Sequence, residues 1–158
     1  MMIYNIQTYF TFEMIYIWAN IGILPFWLIL LTIPNSKINQ ILINSIFLPS
    51  ILSFTYCYIC YQIIFVDDNI FQIFSIYFGL ENLYILFSDE RFLLIFWIHF
   101  LALSLFLGSW MSRDGCKYNM PRTLVAIPLC LAYFAGPLGL ILYWFIRIFF
   151  AKKIGLHD

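Results

Sequence analysis

Long apolar runs separated by short polar groups set the pattern of this chain. The first run, Met14 to Ile33, is stopped by Pro34-Asn35-Ser36, since proline cannot extend a helix and disfavours helix in the residue before it. The second, Ile41 to Val66, closes on Asp67-Asp68-Asn69. A third runs from Phe92 to Met111, and a fourth from about Thr123 to Phe150, ending at Lys152-Lys153. A bilayer core about 30 Å thick takes about 20 helical residues to cross. The pattern therefore predicts an all-α integral membrane fold: four transmembrane helices over about residues 14–33, 41–66, 92–111 and 123–150, in a single polytopic domain covering 1–158.

The polar interruptions refine that picture. Pro25 and Pro49 lie inside runs and predict kinks rather than ends, because neighbouring helices can satisfy the carbonyls a proline frees. Gly136-Pro137-Leu138-Gly139 breaks the fourth run near its centre. Between the second and third runs, Ile70 to Phe87 is nearly long enough to cross, but Gln72, Gly79, Glu81 and Asn82 would then sit in hydrocarbon. A carboxylate there costs roughly 3 kcal/mol, so the segment reads as interfacial and amphipathic, with Glu81-Asn82 at the water boundary. Ser88 is placed to cap the third helix, with Asp89 and Glu90 in its first turn. Arg113-Asp114-Gly115 is expected to end it, and Asn119 to cap the fourth helix with Pro121 just inside.

Composition agrees with lipid as the surroundings: 64% of residues are hydrophobic and 10% charged, against about 25% charged in soluble domains. The net charge of zero gives no reason to expect nucleic acid as a partner. The first fourteen residues carry no Lys or Arg, which fits neither a secretory signal nor a transit peptide. A bacterial inner membrane is the expected location, with an organelle membrane as the alternative. Four crossings put Lys37, Arg113, Lys117 and Arg122 on one side and Arg91, Arg147, Lys152 and Lys153 on the other. The positive-inside rule then gives a tie and no orientation.

Few side chains carry chemistry. His99 lies mid-span on a stripe with Leu103, Phe106 and Trp110, and an intramembrane imidazole is a site candidate by default. The bland alternative is a neutral His hydrogen-bonded inside the bundle, and both readings expect it to face inward. Ser104 and Gly108 form a small-residue pair that suits close helix packing. Cys57 and Cys60 are one turn apart in an apolar helix and read as packing; no disulfide is expected. The Gly136-Pro137 break is either a packing kink or the wall of a cavity. Arg147 either reaches for headgroups or holds the polar end of a ligand, and Arg113-Asp114 complete the ionic groups. No glycine-rich phosphate loop, HExxH or GxSxG occurs, so no cofactor or metal is expected and no catalytic residue is assigned.

Four stretches together resemble a known family: LPFWLILLTIP (Leu24 to Pro34), WIHFLALSLFLGSW (Trp97 to Trp110), RDG (Arg113 to Gly115) and YFAGPLGLILYWFIR (Tyr133 to Arg147). They are similar to the small membrane proteins of the plant abscisic-acid-deficient type, whose plant member is implicated in making neoxanthin from violaxanthin. The resemblance points to Trp97, His99, Gly108, Trp110, Gly136, Pro137, Gly139 and Arg147. It implies a carotenoid or other polyisoprenoid lipid as ligand and, if the chain is an enzyme, an activity like that of a carotenoid epoxide isomerase. With the residue reading it gives the ligand-binding candidates Trp97, His99, Trp110, Arg113, Asp114, Gly136, Pro137, Tyr143 and Arg147. The other reading is a non-catalytic small subunit or assembly factor of a membrane complex. Membrane lipid is a partner in both, and a homo-oligomer or larger complex is compatible with both.

Overall fold

The structure is a computed structural model that describes residues 11–34, 36–37, 41, 47–66 and 74–152. Among them are six α-helices and no strand: α1 (Phe12–Thr32), α2 (Phe47–Tyr61), α3 (Leu80–Phe87), α4 (Glu90–Lys117), α5 (Arg122–Phe134) and α6 (Gly136–Ala151). A π-turn, Gln62–Val66, continues α2, and a 3-10 turn, Ser75–Phe78, precedes α3. Two helices, α1 and α4, are long and apolar enough to cross a membrane. The expected stop at Asp67-Asp68-Asn69, together with Gln72 and Lys153, lies outside the described residues.

The chain divides into two compact units. One comprises Met1–Gly22 and Ser50–Leu101. Its core joins Ile15 of α1, Ile59 and Ile63 of the α2 segment, Leu86 of α3, and Phe92, Leu94 and Ile98 of α4. The pairs Ile59/Ile63 and Leu94/Ile98 are four residues apart, the spacing that puts both side chains on one helix face. Asn20 is satisfied within this unit. Its amide donates to the Tyr16 carbonyl at 2.7 Å, and its oxygen accepts from the Trp97 indole at 3.1 Å.

The helix before α4 is short. Gly79, at φ 146° and ψ 159°, is backbone that in practice only glycine adopts, and it separates the 3-10 turn from α3. Eight residues of helix rise about 12 Å, well under a bilayer core. Glu81 is exposed in the first turn of α3.

The second unit comprises Ile23–Pro49 and Ala102–Asp158. Here Gly108 of α4 leaves a hole that the Trp27 indole fills: a Cβ on Gly108 would stand 2.8 Å from that ring. Trp27 in turn meets Tyr133 of α5 edge-on, with ring centroids 5.3 Å apart. The small-residue stripe expected to serve close packing does so at Gly108.

The fourth expected span is not one kinked helix. It is two, α5 and α6, of 13 and 16 residues, joined by the extended Ala135 at φ −145° and ψ 74°. The chain folds back on itself at this residue. Val125, ten residues before Ala135, and Tyr143, eight after it, both reach the same Gly115 of α4, at 2.9 and 3.7 Å from its ideal Cβ position. Gly139 is what permits the reversal, since a Cβ there would stand 2.5 Å from the backbone nitrogen of Ala132. Only glycine lets α6 rest directly on the α5 backbone. Pro137 occupies the first turn of α6, where a helix has no use for its missing N–H.

Three expected helix ends also differ. Asp89, not Ser88, caps α4: its Oδ1 accepts from the Arg91 backbone N–H at 2.9 Å, while Ser88 Oγ donates back to the Tyr84 carbonyl. Arg113-Asp114-Gly115 does not end α4, which runs on to Lys117, because Gly115 is buried against Val125 rather than used in a turn. Asn119, at φ 51°, closes the C-terminus of α4 instead of capping α5. The Met120 N–H bonds the Gly115 carbonyl and the Asn119 N–H that of Cys116, the paired bonds of a Schellman ending. Pro121 then takes the cap position of α5. Pro49 falls in the first turn of α2, so no mid-helix kink is needed there.

Candidate functional site

The reversal at Ala135 carries polar residues of α6 back to the last turns of α4. Trp110, Asp114 and Tyr118 recur every four residues along α4, and Tyr143 and Arg147 are four apart on α6. Both sets therefore form single-faced stripes. Asp114 Oδ2 accepts two hydrogen bonds, from the Tyr143 hydroxyl at 2.8 Å and from Arg147 Nε at 2.7 Å. Arg147 Nη2 also donates to the Tyr118 hydroxyl at 3.3 Å, and its guanidinium lies 5.0 Å from the centre of the Tyr118 ring. Trp110 packs edge-on against Tyr143, centroid to centroid 5.5 Å.

This ion pair is buried: the Arg147 side chain is 1% exposed and that of Asp114 10%. A charge so placed is stable only with a partner, and each charge supplies the other's. The guanidinium thus does not reach out to headgroups, as one reading of the sequence had it. The result is a neutral but strongly polar cluster of one carboxylate, one guanidinium and two phenols, walled by Trp110.

A small cavity of about 30 Å³ lies in the same unit, lined by Leu30, Ser112, Gly115, Cys116, Arg122 and Val125 among others. Ser112 Oγ is buried there without a hydrogen-bond partner. The volume suffices for about one water molecule.

Of the residues expected from the sequence, Trp110, Asp114, Tyr143 and Arg147 come together. Gly136 and Pro137 shape the corner that brings them there. Arg113 is exposed. Trp97 belongs to the other unit, bonded to Asn20 and packed against Tyr16. His99 is exposed, with the Tyr56 ring 6.0 Å away, and so does not face inward; the buried positions beside it on α4 are Ile98 and Leu101. Tyr118 was missed, although the spacing 110, 114, 118 marks it in the sequence. Among the described residues no group of three or more His, Cys, Asp and Glu stands close enough to hold a metal.

The fold and site define a small all-helical protein with helices of membrane-crossing length and a buried Asp–Tyr–Arg cluster held by a helical hairpin. The chain belongs to the ABA4-like family, described as ABA DEFICIENT 4-like, whose profile matches residues 14–143. No curated protein and no solved structure matches it.

Proposed function

We propose that this is an integral membrane protein that binds a carotenoid or other polyisoprenoid lipid by its oxygenated end. Three crossings are proposed: α1, α2 with its π-turn, and α4. The hairpin α5–α6 enters and leaves the bilayer on one side, since its arms rise only about 20 and 24 Å. Family membership supports the ligand class. The observation that carries the reading is the Asp114–Tyr143–Arg147 cluster, a set of buried hydrogen-bonding groups at the end of an apolar helix pair. Long apolar ligands with polar ends are held in this way, by mostly apolar walls and a few placed polar groups.

If the protein also acts on that ligand, an epoxide-opening isomerisation needs a proton given at oxygen and one taken at carbon. Tyr143 and Asp114 are the candidate pair for those two transfers.

The test is the visible absorption spectrum of protein purified from a host that makes hydroxylated and epoxidised carotenoids. A carotenoid band at about one pigment per chain is expected, with a several-fold loss in Tyr143→Phe, which keeps the ring and its packing but removes the donor. A blank spectrum from such a host would overturn the ligand and favour the small-subunit reading.

A further inference from the structure

The fold-back at Ala135 changes which charges share a side of the membrane. With one crossing in the fourth apolar run, the C-terminal lysines fall opposite Lys117 and Arg122. With a hairpin they fall beside them. The contacts of Val125 and Tyr143 with the same residue of α4 place the two arms side by side, so Arg122 at the start of α5 and Lys152 after the end of α6 flank the same end of the hairpin. Counting crossings from there, the described residues Lys37, Arg113, Lys117, Arg122 and Lys152 border one membrane surface. All five are exposed. Among the described residues Arg91 is the one basic residue that borders the other surface, in company with Glu13, Glu81, Asp89 and Glu90. The remaining described basic residue, Arg147, is buried in its ion pair.

We infer that this basic rim is a docking surface for the anionic headgroups of the inner leaflet, and that it fixes the orientation: N-terminus outside, both ends of the α5–α6 hairpin inside. The partner is named by charge complementarity. Anionic lipid lies on the cytoplasmic leaflet and attracts clustered Lys and Arg next to membrane helices, and short loops rich in these residues stay inside. The tie that four crossings give becomes five to one among the described residues. Asp114 lies in the last turn of α4 and Tyr118 directly after its end, among the residues of the rim, so the candidate site takes the polar end of its ligand from the inner leaflet.

The inference rests on the membrane-spanning part of the proposed function and not on the ligand, so a blank pigment spectrum leaves it standing. The experiment uses the full chain in a bacterial inner membrane, with Cys57, Cys60, Cys116 and Cys130 changed to Ser and one cysteine introduced by Glu81→Cys, Lys117→Cys or Lys152→Cys. Sealed spheroplasts are treated with a membrane-impermeant maleimide before and after lysis. Position 81 is expected to label in sealed spheroplasts, whereas 117 and 152 label only after lysis. Labelling of 152 together with 81 would restore a fourth crossing and overturn the hairpin as the basis of orientation. Labelling of 117 and 152 from outside would overturn the orientation itself. A C-terminal green fluorescent reporter on the unsubstituted chain, bright only when inside, checks the same point with every native cysteine present. A dark reporter on protein that is present at normal level counts against the inference.

Discussion

Asp114 and Arg147 are best understood through what each leaves behind when the other is removed. Asp114→Asn strands a guanidinium that is 1% exposed, and breaking a buried pair from one side typically costs about 3–5 kcal/mol. Thermal unfolding in mild detergent is expected to show that loss, and the double variant Asp114→Asn with Arg147→Met is expected to recover most of it. Additive losses would mean the two charges are not coupled. At the other end of α4 a second, local ion pair is partly exposed. The Arg91 guanidinium, bonded to Asp89 at 2.9 Å, holds the Asp89 carboxyl below its usual range, helped by the Arg91 and Phe92 backbone N–H groups. A depressed folded value means the contribution is present above the unfolded carboxylate pKa, near 4, and fades as pH falls through the lower, folded one. Asp89 is about one-third exposed, so the effect is under about 1 kcal/mol. Asp89→Asn is therefore expected to lower the melting temperature slightly at neutral pH and to match the parent in strong acid.

Between elements, one atom position decides the fold of the C-terminal third. Gly139→Ala puts a methyl 2.5 Å from the Ala132 backbone nitrogen, and backbone cannot swing aside as a side chain can. The α5–α6 corner has to open, at a cost of about 1–3 kcal/mol by overpacking, and Tyr143 moves off Asp114. Gly22→Ala is the control: nothing lies within 4 Å of its ideal Cβ, and alanine in a helix interior gains about 0.5–1 kcal/mol over glycine. Opposite shifts of the two melting temperatures are expected, and a neutral Gly139→Ala would mean the close approach is not needed. The sequence marks this corner but not its consequence. Gly136-Pro137 reads as an interruption within one span because apolar periodicity runs on unchanged through Leu138, Ile141 and Leu142. A reversal and a kink leave the same hydrophobic pattern in lipid, where both faces of a short helix can be apolar. The pairing of Asp114 with a residue 33 positions away depends on that reversal, so it was hidden with it. The all-helical class and the extents of α1 and α4 were legible because length and apolarity alone set them. Their caps were less so: Ser88 and Asp89 are both competent, and only the end of α3 decides between them.

For the molecule as a whole, the surface asks what covers it. Trp18, Phe54, Phe65, Tyr77, Phe78, Phe134 and Phe149 are all well exposed, and soluble monomers rarely show contiguous apolar patches beyond a few hundred Å². A core helix of a soluble protein would be mostly buried, yet the best apolar windows of α1 and α4 are 22% and 44% buried within the chain. Lipid acyl chains cover such surface without asking for hydrogen bonds, which the helical backbones already satisfy internally. A peripheral protein held by its basic residues would behave differently, since those contacts are screened by salt and lost at high pH. Membranes carrying the chain are therefore expected to retain it through washes with concentrated salt and with alkaline carbonate, and to release it only to detergent. Release by carbonate would place the apolar faces against a protein partner instead, and would shift the proposed ligand site at Asp114, Tyr143 and Arg147 to that interface.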